Sequence, residues 1–165
     1  MAAKLRIVIF TTLFMMNYLK IKSELLQACV SFVEEKHNTI SKSLASNKND
    51  LFSETKCSAG DKHETGRAMI QLEMEKTSQQ LIEISIMNET IKKISIEKTT
   101  KVVSLGSLIK TTKGTYFLAI SVGKITLNGL DYFAISSQSP IGKQLLGKKA
   151  GAIVAFNNAE ILEVL

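Results

Sequence analysis

The sequence predicts an α+β protein in which a helical hairpin precedes a small antiparallel β-sheet domain with one short helix. Apolar residues recur at alternating spacings of four and three through the first half, which is typical of long helices that pack along a seam. Short runs rich in valine, isoleucine and aromatic residues, separated by glycine and asparagine, fill the chain after residue 100. Pro140 is the only proline, so none interrupts the predicted long helices.

The composition is that of a globular chain with a basic balance. Of the 165 residues, 45% are hydrophobic and 22% are charged, and the formal net charge is +6. This charge favours an acidic partner, such as nucleic acid, an anionic membrane or an acidic protein surface, and it also serves solubility. Cys29 and Cys57 lack metal or redox spacing, and the predicted layout separates them too far for a disulfide. We therefore expect two free thiols in a reducing cytoplasm.

Residues 1–15 resemble a short export leader, because a basic start is followed by a mostly apolar run. No small-x-small cleavage site follows, and the run is shorter than the about 20 residues that span a membrane. The amphipathic helical pattern begins directly at Asn17. We interpret residues 1–15 as lying upstream of the natural start, with a leader or anchor as the alternative.

Residues 16–98 are predicted to form the helical hairpin, with its tip around residues 47–64. The first seam runs through Leu26, Val30, Val33, His37, Ile40 and Leu44. The second runs through Ile70, Met74, Thr77, Leu81, Ile84, Asn88 and Ile91. Loop-like residues 46–50 and 58–60 separate the two, and helices joined by one connection pack antiparallel.

Three polar residues, His37, Thr77 and Asn88, fall at core-type positions of these seams. Polar residues at such positions specify the register of a coiled coil at a cost in stability. A metal-binding role for His37 is disfavoured, because no second histidine or cysteine lies at ligand spacing.

Residues 99–165 are predicted to form the sheet domain. The predicted strands cover residues 101–105, 115–120, 125–127, 132–135 and 160–164. Asn128–Gly129 is a strong signal for a two-residue hairpin, and Asn157–Asn158 marks a further turn. One short helix interrupts the strands: Ser139 caps it, Pro140 occupies its first turn and Gly147 ends it.

Residues 139–151, SPIGKQLLGKKAG, resemble the signature of the C-terminal domain of GreA/GreB transcription elongation factors. Family members carry a serine-proline-isoleucine start, a short helix and a leucine-x-glycine-lysine-lysine-x-glycine turn. The order of the halves is also similar, since a helical hairpin precedes an FKBP-like sheet domain in the family. The resemblance covers residues 17–165 and implies docking on RNA polymerase. The implied docking residues are Ser139, Pro140, Ile141, Lys148 and Lys149.

A second similarity lies where the hairpin turns into its second helix. Gre factors carry an aspartate and a glutamate three residues apart there, and Asp61 and Glu64 stand at that place. In the family, this tip enters the secondary channel of RNA polymerase and helps to hold a second Mg²⁺ ion and a water. The polymerase then cleaves the RNA 3′ end of a backtracked complex. The resemblance implies that Asp61 and Glu64 assist the polymerase's active centre and share its Mg²⁺, with no cofactor of the chain's own.

The residue types suit this chemistry independently of the resemblance. Mg²⁺ takes oxygen ligands, often only one or two protein carboxylates, and a second metal ion activates water. Residues three apart on a helix lie on one face, so Asp61 and Glu64 can address one target. An Asp-x-x-Glu pair at a helix start is also a capping box, which requires no function. The two roles are compatible.

The sequence departs from the family after Glu64. Gre tips continue with asparagine, a small residue, glutamate and tyrosine, whereas residues 65–68 here are Thr-Gly-Arg-Ala. Arg67 either contacts RNA phosphate or is a solvated helix residue. The departure motivates an alternative function, a channel-binding regulator or inhibitor that does not stimulate cleavage.

Other classes have less support. A free-standing enzyme is disfavoured, because Cys57 and His63 lie in the predicted tip without a core around them. Prolyl isomerase activity is also disfavoured, because the aromatic residues of the second half are accounted for by the sheet. A structural coiled-coil protein remains a remote alternative, since heptads do not select the partner helix. The scattered lysines lack the aromatic interleaving of stacking sites. We expect a cytoplasmic monomer that binds RNA polymerase and the RNA 3′ end, without a membrane.

Overall fold

The fold is taken from a computed structural model. It describes the backbone of residues 2–54, 61–98 and 100–165, while the side chains of residues 1–15, 47, 49–65, 67 and 99 lie outside the described part. Two long helices precede a six-stranded sheet with a short helix, which confirms the α+β class. The elements are α1 (Ala2–Glu54), α2 (Asp61–Lys92), β1 (Leu108–Thr111), β2 (Gly114–Ala119), β3 (Gly123–Leu127), β4 (Leu130–Ser136), α3 (Pro140–Leu145), β5 (Ile153–Val154) and β6 (Ala159–Val164).

The two long helices differ in length, with 53 residues in α1 and 32 in α2. Residues 46–50, which were predicted as part of a loop, are helical, so that prediction is wrong. Serine and asparagine cost only tenths of a kcal/mol each in a helix interior. Neither glycine nor proline occurs in α1, so nothing in it ends the helix sharply. Residues 58–60 and Cys57 lie outside the described residues.

Residues 31–89 form one compact unit of the chain, which contains most of both seams. Val33, Ile40 and Ile84 are buried, as the heptad pattern predicts. Thr77 is also buried, and its hydroxyl donates to the carbonyl oxygen of Glu73 at 2.6 Å, within its own helix.

His37 and Asn88 are exposed, so the prediction that they occupy core positions is wrong. Both line an open groove together with Val33, Glu34 and Asn38. Burying a polar side chain without a hydrogen-bond partner costs free energy, so these residues keep their contact with water.

The sheet belongs to a second unit, formed by residues 1–30 and 90–165. Its strand order is β3-β4-β2-β1-β6-β5. The prediction of an antiparallel sheet is wrong at one place, because β2 and β4 pair in parallel, with Phe117 opposite Ala134. The β3–β4 hairpin folds back so that β4, rather than β3, lies beside β2, and this places β3 at the edge.

The strand predicted at residues 101–105 is reduced to a single bridge between Val102 and Lys149. Gly106, with a φ of 85°, turns the chain there, and the Ser107 N–H donates to the carbonyl oxygen of Ser104 at 3.0 Å. The first strand is instead β1, which pairs with β2 around a turn at Lys113.

The core of this unit lies between the sheet and α3. It consists of Val103, Ile109, Leu118, Leu145, Val154 and Ile161. The first part of α1 packs in the same unit: Leu25 and Cys29 are fully buried, and the backbone of Ile120 hydrogen-bonds the Cys29 thiol. Burial, and then the nearby charge of Glu163, raises the pKa of Tyr18 on the same helix. Residues of α1 are therefore buried within the unit that contains the C-terminal sheet.

Candidate functional site

The acidic pair, Asp61 and Glu64, stands at the start of α2. Asp61 is the first residue of the helix, and Glu64 lies in its first turn. Their three-residue separation on a helical backbone places them on one face. The positive end of the helix dipole at this terminus favours carboxylates. The side chains of both residues, and that of Arg67, lie outside the described part of the structure.

This donor set fits a magnesium ion that is shared with another molecule. Two carboxylates are what Mg²⁺ commonly takes from a protein when water and phosphate supply its other ligands. Among the residues that the structure describes, no group of three or more histidine, cysteine, aspartate or glutamate residues could hold a metal ion. The acidic pair falls outside that description.

The start of α3 is built by Ser139. Its hydroxyl donates to the carbonyl oxygen of Ser136 at 2.7 Å and accepts from the Gly142 N–H at 3.1 Å. The second bond satisfies one of the backbone donors that a helix start leaves unpaired. Pro140 follows in the first turn, where its missing N–H costs nothing. Ser139 therefore fixes both the position and the direction of α3.

The end of α3 is held by a second set of backbone contacts. The Gly147 N–H donates to the carbonyl oxygen of Val103 at 2.9 Å, and the Val103 N–H donates to that of Lys148 at 2.8 Å. Gly147 adopts a φ of 78°, a left-handed conformation that glycine accepts without strain. This arrangement leaves Lys148 and Lys149 exposed on an anchored backbone.

The five predicted docking residues do not share one environment. Pro140, Lys148 and Lys149 are exposed, and Ser139 is half-buried with its hydroxyl engaged in the cap. Ile141 packs against the core cluster, so much of its side chain supports the fold. The structure thus leaves Pro140 and the two lysines as accessible contacts.

Beside Lys149, the structure contains an open groove that the sequence analysis missed. It has a volume of about 340 Å³ and is lined by Lys101, Lys149, Ala150, Leu162, Glu163 and Val164. Leu162 is 49% exposed there. Because side chains alternate between the two faces of a strand, the sequence of β6 was enough to predict that Leu162 faces outward. No local pattern predicts that Lys101, which is distant in the chain, lines the same groove.

A second missed feature is the set of contacts around the turn between β5 and β6, a turn that was predicted at Asn157–Asn158 and is confirmed. Gln144 on α3 accepts a hydrogen bond from the Phe156 N–H at 2.8 Å, and Asn157 donates through Nδ2 to Tyr116 Oη at 3.2 Å. Phe156 itself is 60% exposed. The sequence signal for this exposed aromatic residue was its position directly before the predicted Asn157–Asn158 turn. The turn is tied to α3 and to β2 while it presents an aromatic side chain to solvent.

Two titratable groups in the described part of α1 are buried. Lys22 is 1% exposed, and its Nζ atom has no hydrogen-bond partner in the described part of the chain. Burial lowers the pKa of Lys22, and it raises the pKa of the Cys29 thiol to about 11. Neither group reaches solvent, so neither belongs to a surface site.

Within the described residues, none of the helices has an apolar stretch long enough to cross a bilayer. No model of a known protein family matches the chain, and no curated protein matches it at a significant level.

Proposed function

We propose that this protein is a Gre-type transcription elongation factor that binds RNA polymerase and stimulates cleavage of the RNA 3′ end in backtracked complexes. The observation that carries the proposal is the acidic pair, which opens α2 directly after the connection between two long helices. The Gre-like run at residues 139–151, with a capped α3 and two exposed lysines, supports it independently.

In this proposal, the chain has no active site of its own. Asp61 and Glu64 enter the secondary channel and add carboxylate oxygens to a Mg²⁺ ion at the polymerase's active centre. The ion supplies the activation of water and the stabilisation of the leaving oxygen. The acidic pair would help to hold that ion, and the polymerase would perform the hydrolysis.

Docking is assigned to the C-terminal sheet domain. Pro140, Lys148 and Lys149 are exposed on a backbone that Ser139 and Val103 hold in place. Two lysines on an ordered turn suit an acidic protein surface and contribute to orientation and association rate more than to affinity.

An alternative within the same class is a regulator or inhibitor that occupies the channel without stimulating cleavage. The run Thr65-Gly66-Arg67-Ala68 favours it, because an arginine stands where Gre tips carry a carboxylate. A positive side chain beside the acidic pair would compete with Mg²⁺ for the two carboxylates.

The deciding experiment measures RNA cleavage in stalled, backtracked elongation complexes of the cognate polymerase, with the wild type and with Asp61→Ala/Glu64→Ala. The matched control is Glu75→Ala/Glu83→Ala, which removes two exposed carboxylates further along α2. We expect the wild type and the control to accelerate cleavage, and the tip variant to give no acceleration. Cleavage that the tip variant still stimulates would remove the metal role.

Docking is tested separately by binding to the polymerase. Lys148→Ala/Lys149→Ala should weaken binding, whereas Lys110→Ala/Lys113→Ala, which removes two other exposed lysines of the sheet domain, should not. Binding with slower elongation and no cleavage would establish the channel-occupying alternative. No binding, together with a dimeric mass in solution, would favour the structural coiled-coil protein.

A further inference from the structure

The hairpin between β3 and β4 carries an asparagine-glycine pair in an exposed, open setting. Leu127 and Leu130 are the last paired residues, so Asn128 and Gly129 alone form the loop. Both have positive φ, 52° and 76°, as a type I′ turn requires, and both are exposed. Apart from the adjoining residues Asn128 and Leu130, no residue has a heavy atom within 4 Å of the position that a Cβ on Gly129 would occupy.

The Gly129 N–H is the group that makes this loop chemically distinctive. It lies between the two strands, and no backbone hydrogen bond of the turns and loops engages it among the described residues. Glycine also places no side chain over its own amide nitrogen. The nitrogen is therefore uncovered and not engaged in a hydrogen bond within the described residues, and rotation about ψ of Asn128 in this exposed loop brings it to the electrophilic Cγ carbon of the Asn128 carboxamide.

We propose that Asn128 is a site of spontaneous deamidation and isomerisation in the folded protein. The Gly129 nitrogen forms a bond to Asn128 Cγ, the bond from Cγ to Nδ2 breaks, and ammonia leaves with the proton that the backbone nitrogen gives up. The product is a cyclic succinimide. Water then adds to either ring carbonyl and opens the ring to aspartate or to isoaspartate.

The chain contains an internal comparison for this reaction. Asn158 has the same φ, 52°, in the turn before β6. The following N–H, of Ala159, donates to Asn157 Oδ1 at 3.1 Å, and Ala159 is only 1% exposed. The nucleophile at Asn158 is thus bound, buried and flanked by a methyl group. Accessibility of the next nitrogen, rather than the φ of the asparagine, separates the two sites.

The products change the hairpin in two ways. Either product adds a negative charge two residues before the start of β4, near Asp131. Asp131 already accepts a hydrogen bond from Thr126 Oγ1 at 2.8 Å and pairs with Lys124 at 2.7 Å. Isoaspartate also inserts a methylene into the backbone of a two-residue loop. Since β3 is at the edge of the described sheet, where its one neighbour is β4, it is the element that this lengthening releases.

The test follows the full chain during incubation at neutral and mildly alkaline pH, with peptide mass spectrometry that separates asparagine, aspartate and isoaspartate. We expect both products at Asn128, faster at alkaline pH, and none at Asn158 over the same period. Asn128→Gly keeps a residue that accepts positive φ and should leave the chain without the modification. Amide hydrogen exchange should rise in β3 of the isoaspartate form and stay unchanged in β1 and β2.

A parallel incubation of the urea-unfolded chain makes the result decisive. Reaction at Asn128 in the unfolded chain, with none in the folded chain, would show that the turn protects the residue and would overturn the proposal. Equal rates at Asn128 and Asn158 in the folded chain would overturn the argument from the accessible Gly129 nitrogen.

Discussion

Gly142 on α3 lies directly against the carbonyl group of Ser136 at the end of β4. A Cβ atom on Gly142 would come within 2.9 Å of the Ser136 carbonyl carbon and, at the same distance, of Ser139 Oγ. Both are part of the cap that starts α3, so a methyl group cannot be accommodated without moving the helix. The glycine of the Ser-Pro-Ile-Gly run therefore has a structural role in presenting the proposed docking surface.

Gly142→Ala is expected to destabilise the sheet domain by about 1–3 kcal/mol, the usual cost of forcing extra volume into a packed site. The measurement is urea unfolding followed by circular dichroism. Lys143→Ala, at the next and exposed position, is the control and should change little. An alanine at position 142 that leaves stability unchanged would mean that α3 shifts freely on the sheet.

Lys22→Met is expected to stabilise the protein by about 1–3 kcal/mol, because it removes a buried polar group without a partner and keeps the apolar stem. Burial lowers the pKa of Lys22, so between that value and 10.5 the unfolded chain binds a proton that the folded chain releases. The contribution of Lys22 to stability therefore rises with pH through this window.

The advantage of the methionine variant should shrink correspondingly as pH approaches 10.5. Thermal unfolding of both proteins across this range checks the prediction, and the shared Cys29 contribution cancels in the difference. A methionine variant that is less stable than the wild type at neutral pH would show that Lys22 has a stabilising partner.

Cys29 is expected to resist alkylation in the folded state, because its thiol is buried and its pKa is raised to about 11. A Cys57→Ser background leaves it as the only thiol. From pH 9.0 to about 11, the unfolded chain loses the thiol proton while the folded chain keeps it, so this contribution to stability falls as pH rises. The rate of thiol alkylation with and without denaturant measures how accessible Cys29 is to the reagent. Equal alkylation rates in the two conditions would contradict its burial.

The two seams can be tested residue by residue. Ile84→Ala should cost about 2–5 kcal/mol, because it opens a cavity at a buried position. Asn88→Ala, one turn later on α2 and exposed, should stay within about 0.5 kcal/mol. Urea unfolding of both variants gives the comparison. A large loss at Asn88 would place it in a specific contact across the groove that it shares with His37.

The local elements follow from local signals. The cap at Ser139, the type I′ turn at Asn128–Gly129 and the helical runs all depend on residues a few positions apart, whose hydrogen bonds and φ preferences are intrinsic to the chain. The position of the acidic pair at a helix start is of the same kind. Its role on RNA polymerase stays a prediction, because it depends on a partner.

The tertiary structure decided which face of each element meets which neighbour. The parallel pairing of β2 with β4, the exposure of His37 and Asn88 and the burial of Lys22 join segments far apart in the chain, and no short-range pattern encodes such pairs. A heptad pattern marks a position as core-facing. A polar side chain at that position is tolerated only where the packing gives it contact with water or a hydrogen-bond partner. The sequence therefore determined the helical and strand-rich halves, the cap at Ser139 and the turn at Asn128–Gly129, and the tertiary packing determined the strand pairing and what each buried or exposed residue contacts.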